Sequence, residues 1–243
     1  MRKTIKNVVV TLLILTLSGS TALLAYLHFY ASDHKEISGE WTAELNMTQQ
    51  AAVTALSWLQ EIEAVSISLE DMEAYMQNLS VQVHLTLEKT GRLEGTFCSN
   101  ILPESYDACS QAAYEAFAAA FQDLLVERLR MAGYEGSTDK EAVEALVSET
   151  FGMSTVDYLM SCGPSLLPSL EEMQAEYEGS GTYKAVGNIL TRQFDAGGSV
   201  ITKMEYYIRE DSNLILSEKI DSDSADFFSD DYPVIFTLSQ PQN

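Results

Sequence analysis

From Leu79 to Glu88 the chain reads LSVQVHLTLE. This puts Leu79, Val81, Val83, Leu85 and Leu87 on one face of an extended strand, and Ser80, Gln82, His84, Thr86 and Glu88 on the other. Strict alternation of this length demands a half-buried strand, because successive side chains of a strand point to opposite sides of its sheet. The same period runs through GEWTAELNM, where Trp41, Ala43, Leu45 and Met47 share a face, and it returns in Leu93–Cys98. Lys89–Arg92 (KTGR) reads as the hairpin turn between the second and third strands, with Gly91 supplying a positive φ. Between the first two strands, TQQAAVTALSWLQEIE places Ala52, Leu56 and Leu59 at helical spacing, and SLEDMEAYM predicts a second short helix over Ser68–Met76.

The period then changes to 3.6 and stays there over residues 103–178. Pro103 opens this block, Glu104 and Asp107 sit where a helix start favours acid, Arg128 and Arg130 sit at the far end, and Gly133 closes the helix. Phe117, Phe121, Leu124, Leu125 and Leu129 form the apolar face. Thr138–Glu141 and Ser169–Glu172 have capping-box spacing, and Ser154 with Asp157 starts a shorter helix ended by Gly163 and Pro164. The block reads as three or four short helices.

After Gly179 the period of two resumes. GTYKAV and NILTRQF make a hairpin about Gly187-Asn188, and Asp211–Asn213 turns VITKMEYYI into LILSEKI. PVIFTLS closes the series with Val234, Phe236 and Leu238 on one face. In VITKMEYYI the apolar line Val200, Thr202, Met204, Tyr206 and Ile208 is assigned inward, and Lys203, Glu205 and Arg209 outward. The fold class is α+β. About eight antiparallel strands in meander order form a barrel or sandwich, with a helical insertion between strands three and four.

The N-terminal end sets location. Residues 1–7 are basic, with Arg2, Lys3 and Lys6, and Val8–Ala31 is apolar throughout. About 20 apolar residues cross a bilayer core, and flanking positive charge stays on the cytoplasmic side. Residues 37–243 are therefore expected outside the cytoplasm, on a single-pass anchor in the cell membrane. Ser18–Ala22 (SGSTA) resembles the small-residue end of a cleavable signal peptide, but the apolar run resumes as LLAYLHFYA with Tyr26 and Tyr30 at interfacial positions, which favours an uncleaved anchor. No cysteine lies near its end, so acylation there is excluded.

All 36 acidic residues follow this segment, whereas three of the 14 basic ones lie inside it. The exported part is thus more acidic than the chain's overall charge of −22, which excludes nucleic acid as a partner. Cys98, Cys109 and Cys162 are too few for a disulfide scaffold, although Cys98 and Cys109 flank a strand-to-helix junction and are spaced to close a short loop.

Gly39-Glu40-Trp41, opening the first of eight meander strands, resembles the Gly-x-Trp of lipocalin-like (calycin-type) domains, here in a membrane-anchored bacterial envelope protein. The resemblance covers residues 37–98 and 179–239. It implies an up-and-down barrel, with Trp41 closing one end and a small apolar molecule or a protein partner as ligand. It also implies an arginine stacked on that tryptophan, and no later motif designates one. By this resemblance Trp41, Tyr183, Tyr206 and Phe236 are the candidate ligand-lining residues.

Reactive groups are sparse. His34 falls in the linker beside the anchor and His84 on the polar face of a strand, and no nucleophile–base, zinc or phosphate-loop spacing occurs. No cofactor is implied and no enzymatic activity is expected; a carboxylate pair is the enzymatic alternative. Asp221, Asp223 and Asp226 in the acidic loop are the weak candidates for an ion, but they lack the spacing of a calcium loop. The expected function is that of a tethered interaction domain for another envelope protein. The alternative is a module binding a small apolar ligand. Whether large inward side chains fill the barrel decides between them, and Trp41, Leu85, Phe97, Tyr183, Met204, Tyr206, Leu216 and Phe236 are assigned inward.

Overall fold

The computed structural model describes residues 36–62, 67–196, 199–218 and 233–239. Val8–Ala31, His34 and the loop carrying Asp221, Asp223 and Asp226 lie outside the described residues, among which no helix is long and apolar enough to cross a membrane. The eight strands β1 (Gly39–Asn46), β2 (Ser80–Lys89), β3 (Glu94–Ile101), β4 (Gly179–Val186), β5 (Ile189–Ala196), β6 (Ser199–Glu210), β7 (Asn213–Glu218) and β8 (Val234–Leu238) form a closed barrel in sequence order. Of the two architectures left open by the meander pattern, the chain adopts the barrel. Among the described residues two compact units are distinguished, and β1 to β3 contribute to both: one comprises residues 36–41, Thr86–Phe97 and the described residues from Ser180 onward, the other those within Thr42–Leu85 and Cys98–Gly179.

In the first unit, turn chemistry sets the register. Gly187 takes φ +64° in the two-residue turn that places Val186 opposite Ile189, and Asp211 takes φ +47° in the turn that places Glu210 opposite Asn213. Such turns suit antiparallel hairpins because their twist matches that of the strands. Gly91 lies outside the positive-φ region, contrary to expectation. Its turn is held instead by the N–H groups of Thr90 and Gly91, which both donate to the Glu94 carbonyl at 3.1 and 2.9 Å.

In the second unit, α1 (Thr48–Ile62) and α2 (Leu69–Tyr75) lie between β1 and β2, whereas α3 (Pro103–Met131), α4 (Lys140–Phe151), α5 (Thr155–Cys162) and α6 (Leu170–Tyr177) lie between β3 and β4. Ser68–Asp71 and Ser169–Glu172 are reciprocal capping boxes. For α4 the cap is Asp139, whose carboxylate accepts from the Ala142 N–H, so the helix starts one residue later than the Thr138–Glu141 spacing predicts. The apolar face of α3 is centred on Ala113, Phe117 and Ala120, with Trp58 of α1 edge-on to Phe117 at 5.7 Å. Glu144 ties α4 to α5 by accepting from the Thr155 hydroxyl at 2.6 Å, and Gln122 of α3 donates to the same carboxylate at 2.6 Å.

The three cysteines are free, and Cys98 and Cys109 do not close the short loop their spacing allows. Cys98 points outward from β3, whereas Cys109 is buried in α3, where loss of water pushes its thiol up to about 11. Because the thiolate is the reactive form, native protein treated with iodoacetamide near pH 8 without reductant should gain two adducts, at Cys98 and Cys162. Unfolding should add the third at Cys109. A native product with Cys98 and Cys109 both unmodified and a mass lower by two hydrogens would show the bridge instead.

Candidate functional site

The lumen of the barrel is where a lipocalin-like domain would hold a ligand, and all the residues described here belong to the first unit. Its lining begins with the hairpin registers. Tyr183 lies opposite Arg192, and Ala185 opposite Leu190. Leu190 lies opposite Glu205, Arg209 opposite Leu214, and Tyr207 opposite Leu216. One continuous inward surface results. Tyr183, Leu190, Arg192, Glu205, Tyr207, Leu214, Leu216 and Phe236 are each at most 7 % exposed.

From Met204 to Arg209 this reverses the inward and outward lines expected for β6, whereas Lys203 is exposed as expected. Glu205 and Tyr207 face the lumen with Arg209, while Val200, Met204 and Ile208 are 68, 48 and 52 % exposed on the outside. Of the four candidate ligand-lining residues, Trp41, Tyr183 and Phe236 are buried inside, and Tyr206 sits on the outer face between Glu205 and Tyr207. The physical reason is register: a slip of one residue sends every side chain of a strand to the other face.

Within the lumen, β5 and β6 contribute an ion pair. Arg192 donates from Nε and Nη2 to the two carboxylate oxygens of Glu205 at 2.8 Å each, in the bidentate geometry that gives the strongest arginine–carboxylate pairs. Arg192 is 7 % and Glu205 1 % exposed. The guanidinium carbon lies 5.5 Å from the ring centres of both Phe97 and Phe194, which meet edge to face at 4.9 Å. Gly181 stands opposite Phe194 on the intervening strand, where a Cβ would stand 1.9 Å from the Gln193 carbonyl oxygen. Lys203 Nζ is 3.9 Å from Glu205 Oε1.

One end of the lumen is built on Trp41. Its indole N–H donates to the Ile37 carbonyl at 2.9 Å, and the Arg209 guanidinium lies 4.7 Å above its ring. Arg209 supplies the arginine implied by the lipocalin resemblance, from a strand whose charged line was assigned outward. Nearby, Glu36 accepts a hydrogen bond from Lys89, which holds its carboxyl below the usual range against the opposing effect of burial, with a further contribution from the Ser38 hydroxyl. Burial pushes the Tyr183 and Tyr207 phenols upward, and Tyr207 donates its hydroxyl to the Gly187 carbonyl at 3.0 Å. Glu36, Lys89, Tyr183 and Tyr207 border a cavity of about 40 Å³. That is room for water, whereas drug-sized ligands occupy roughly 300 to 1,000 Å³.

In the helical unit a groove of about 500 Å³ runs between α2 and α3. Ile67, Ala74, Ala120 and Leu124 give it apolar walls, and Asp71, Asp123 and Glu127 give it an acidic rim. Tyr75 donates to Asp123 at 2.8 Å, and that hydrogen bond, more than burial, raises the phenol. His84 faces away from the lumen on β2, and no cluster of three or more metal-ligating side chains occurs among the described residues. Comparison with family models, curated proteins and solved structures gives no match for this chain.

Removing one partner of a buried ion pair leaves an uncompensated charge and costs about 3 to 5 kcal/mol, whereas a well-packed apolar pair is close to neutral. Glu205→Ala should therefore lower the urea midpoint strongly, while Arg192→Met with Glu205→Leu should unfold near the parent. An unchanged Glu205→Ala midpoint would place that carboxylate in water.

Proposed function

We propose that this chain is a membrane-tethered extracytoplasmic interaction domain whose lipocalin-like barrel is a scaffold, with a protein as its partner. One observation carries the reading: among the described residues, Trp41, Tyr183, Leu190, Arg192, Glu205 and Tyr207 of the lumen lining are each at most 7 % exposed, and the cavity beside Tyr183 and Tyr207 measures only about 40 Å³. A lumen with a vacancy large enough for an apolar molecule would leave the side chains around it accessible. An apolar ligand would also have to displace the Arg192–Glu205 pair or strip it of its partners, at a cost of several kcal/mol.

Recognition is then assigned to the outside of the molecule. The groove between α2 and α3 combines apolar walls with carboxylates from both helices, which suits a peptide or helix carrying apolar and basic side chains. Tethering rests on the apolar segment Val8–Ala31 and the basic residues ahead of it.

Native mass spectrometry of the full chain, released from washed membranes, tests the scaffold reading. The expected species has the mass of the complete polypeptide and carries no stoichiometric small molecule. A retained apolar compound that is lost on Trp41→Ala would establish the container reading.

A further inference from the structure

Three in-register isoleucines lie on the outside of the barrel. Ile208 of β6 is opposite Ile215 of β7, which is opposite Ile235 of β8, and Ile208 and Ile235 are each 52 % exposed. Single exposed isoleucines are ordinary, but a cross-strand row of them is not. Met204 extends the row along β6 at 48 % exposure, and Tyr206 lies between Met204 and Ile208.

The second observation is charge. Outward positions from Ile189 to Gln193 on β5, Thr202 to Ile208 on β6, Ile215 to Ser217 on β7 and Ile235 to Thr237 on β8 carry no charged side chain. Acid appears at the margin, with Glu210 at the end of β6. In a chain of net charge −22 this is a neutral window in an acidic surface. The third observation is where the chain outside the barrel ends. The apolar run stops at Ala31, and Glu36 is already fastened to Lys89 beside the Trp41 end. The intervening residues span at most roughly 17 Å when fully extended. Ile208 adjoins Arg209, which packs on Trp41, so the isoleucine row lies at this tethered end.

We infer that this outer face of β5 to β8 rests on the lipid bilayer. The inference rests on the tethered reading above. Isoleucine and methionine enter the acyl boundary, and Tyr206 supplies the amphipathic ring favoured at headgroup depth. The uncharged window is the part of an acidic domain that meets lipid without desolvating carboxylates. Neighbouring strands carry Glu40 and Glu44 on β1 and Glu88 on β2 outward, which orients the barrel by exclusion.

The test uses the full chain inserted in phosphatidylcholine vesicles, washed with carbonate and treated with the water-soluble oxidant chloramine-T. Methionine oxidation is read by peptide mass spectrometry. Met204 and Met160 are matched, at 48 and 47 % exposure, and Met160 serves as the internal reference. Met204 should oxidise several-fold more slowly than Met160. Ile208→Glu with Ile235→Glu, both at exposed positions, should bring Met204 to the Met160 rate while the protein stays in the vesicles. Equal rates in the parent, with the chain retained after washing, would overturn bilayer docking and leave the tether standing. Loss of the chain on washing would overturn the tether itself, and the docking with it. Protection that grows with the number of chains per vesicle would assign the face to a second copy, and protection that survives the double substitution would remove the isoleucines from the contact; either result overturns the inference.

Discussion

A carboxylate that is 1 % exposed inside a barrel must be neutralised where it stands, and Arg192 does this for Glu205. Taking either charge out of water costs several kcal/mol, which is recovered when every polar atom is satisfied. The bidentate pairing satisfies both carboxylate oxygens, and Phe97 and Phe194 hold the guanidinium in place with their rings. Close strand contact excludes a Cβ at Gly181, 1.9 Å from the Gln193 carbonyl oxygen, and at Gly95, 2.0 Å from the Glu88 carbonyl oxygen and 2.6 Å from the Tyr183 ring. The registers of β4, β5 and β6 bring the charged pair and its rings together in one packed polar cluster.

That cluster also separates binding at the lumen from binding outside it. Barrels of eight strands have interiors just wide enough either to be filled by side chains or to hold one small ligand. Arginine, glutamate, two phenylalanines, two tyrosines and a tryptophan take the first course here. Outside the lumen lie, among others, the α2–α3 groove and the uncharged outer window of β5 to β8. The first is acidic at its rim and the second has no charge, so they suit partners of different chemistry.

The fold was legible in the sequence because its periods are clean. The five-residue alternation Leu79–Leu87 is buried as read, Pro103 and Gly133 bound α3, and the Ser169–Glu172 capping box forms. The site was less legible, because both lines of β6 look plausible when taken alone. Val200, Met204, Tyr206 and Ile208 form the more hydrophobic line and were assigned inward on that ground. The information that decides between them lies in the turn. With two residues between β6 and β7, Tyr207 falls opposite Leu216, so an inward Leu216 requires an inward Tyr207 and with it Glu205 and Arg209. Assigning Leu216 and Tyr206 to the same lumen was inconsistent with that arithmetic. The arginine on Trp41 was missed for the same reason, since Arg209 belonged to the line sent outward. Thr138 gave way to Asp139 as a cap because either side chain can reach a free N–H, and the shift moves the helix start by one residue.

The central claim is that the barrel interior is dry and closed around the Arg192–Glu205 pair. It is tested most directly by the Arg192 side-chain Nε–H in proton–nitrogen NMR spectra of arginine-labelled protein. An Nε–H donated to a buried carboxylate exchanges with water only when the barrel opens. Its signal should persist at neutral pH and outlast the corresponding signal of the exposed Arg130 on α3 by orders of magnitude. If the Arg192 signal exchanges as fast as that of Arg130, the lumen is open to water and the scaffold account is wrong.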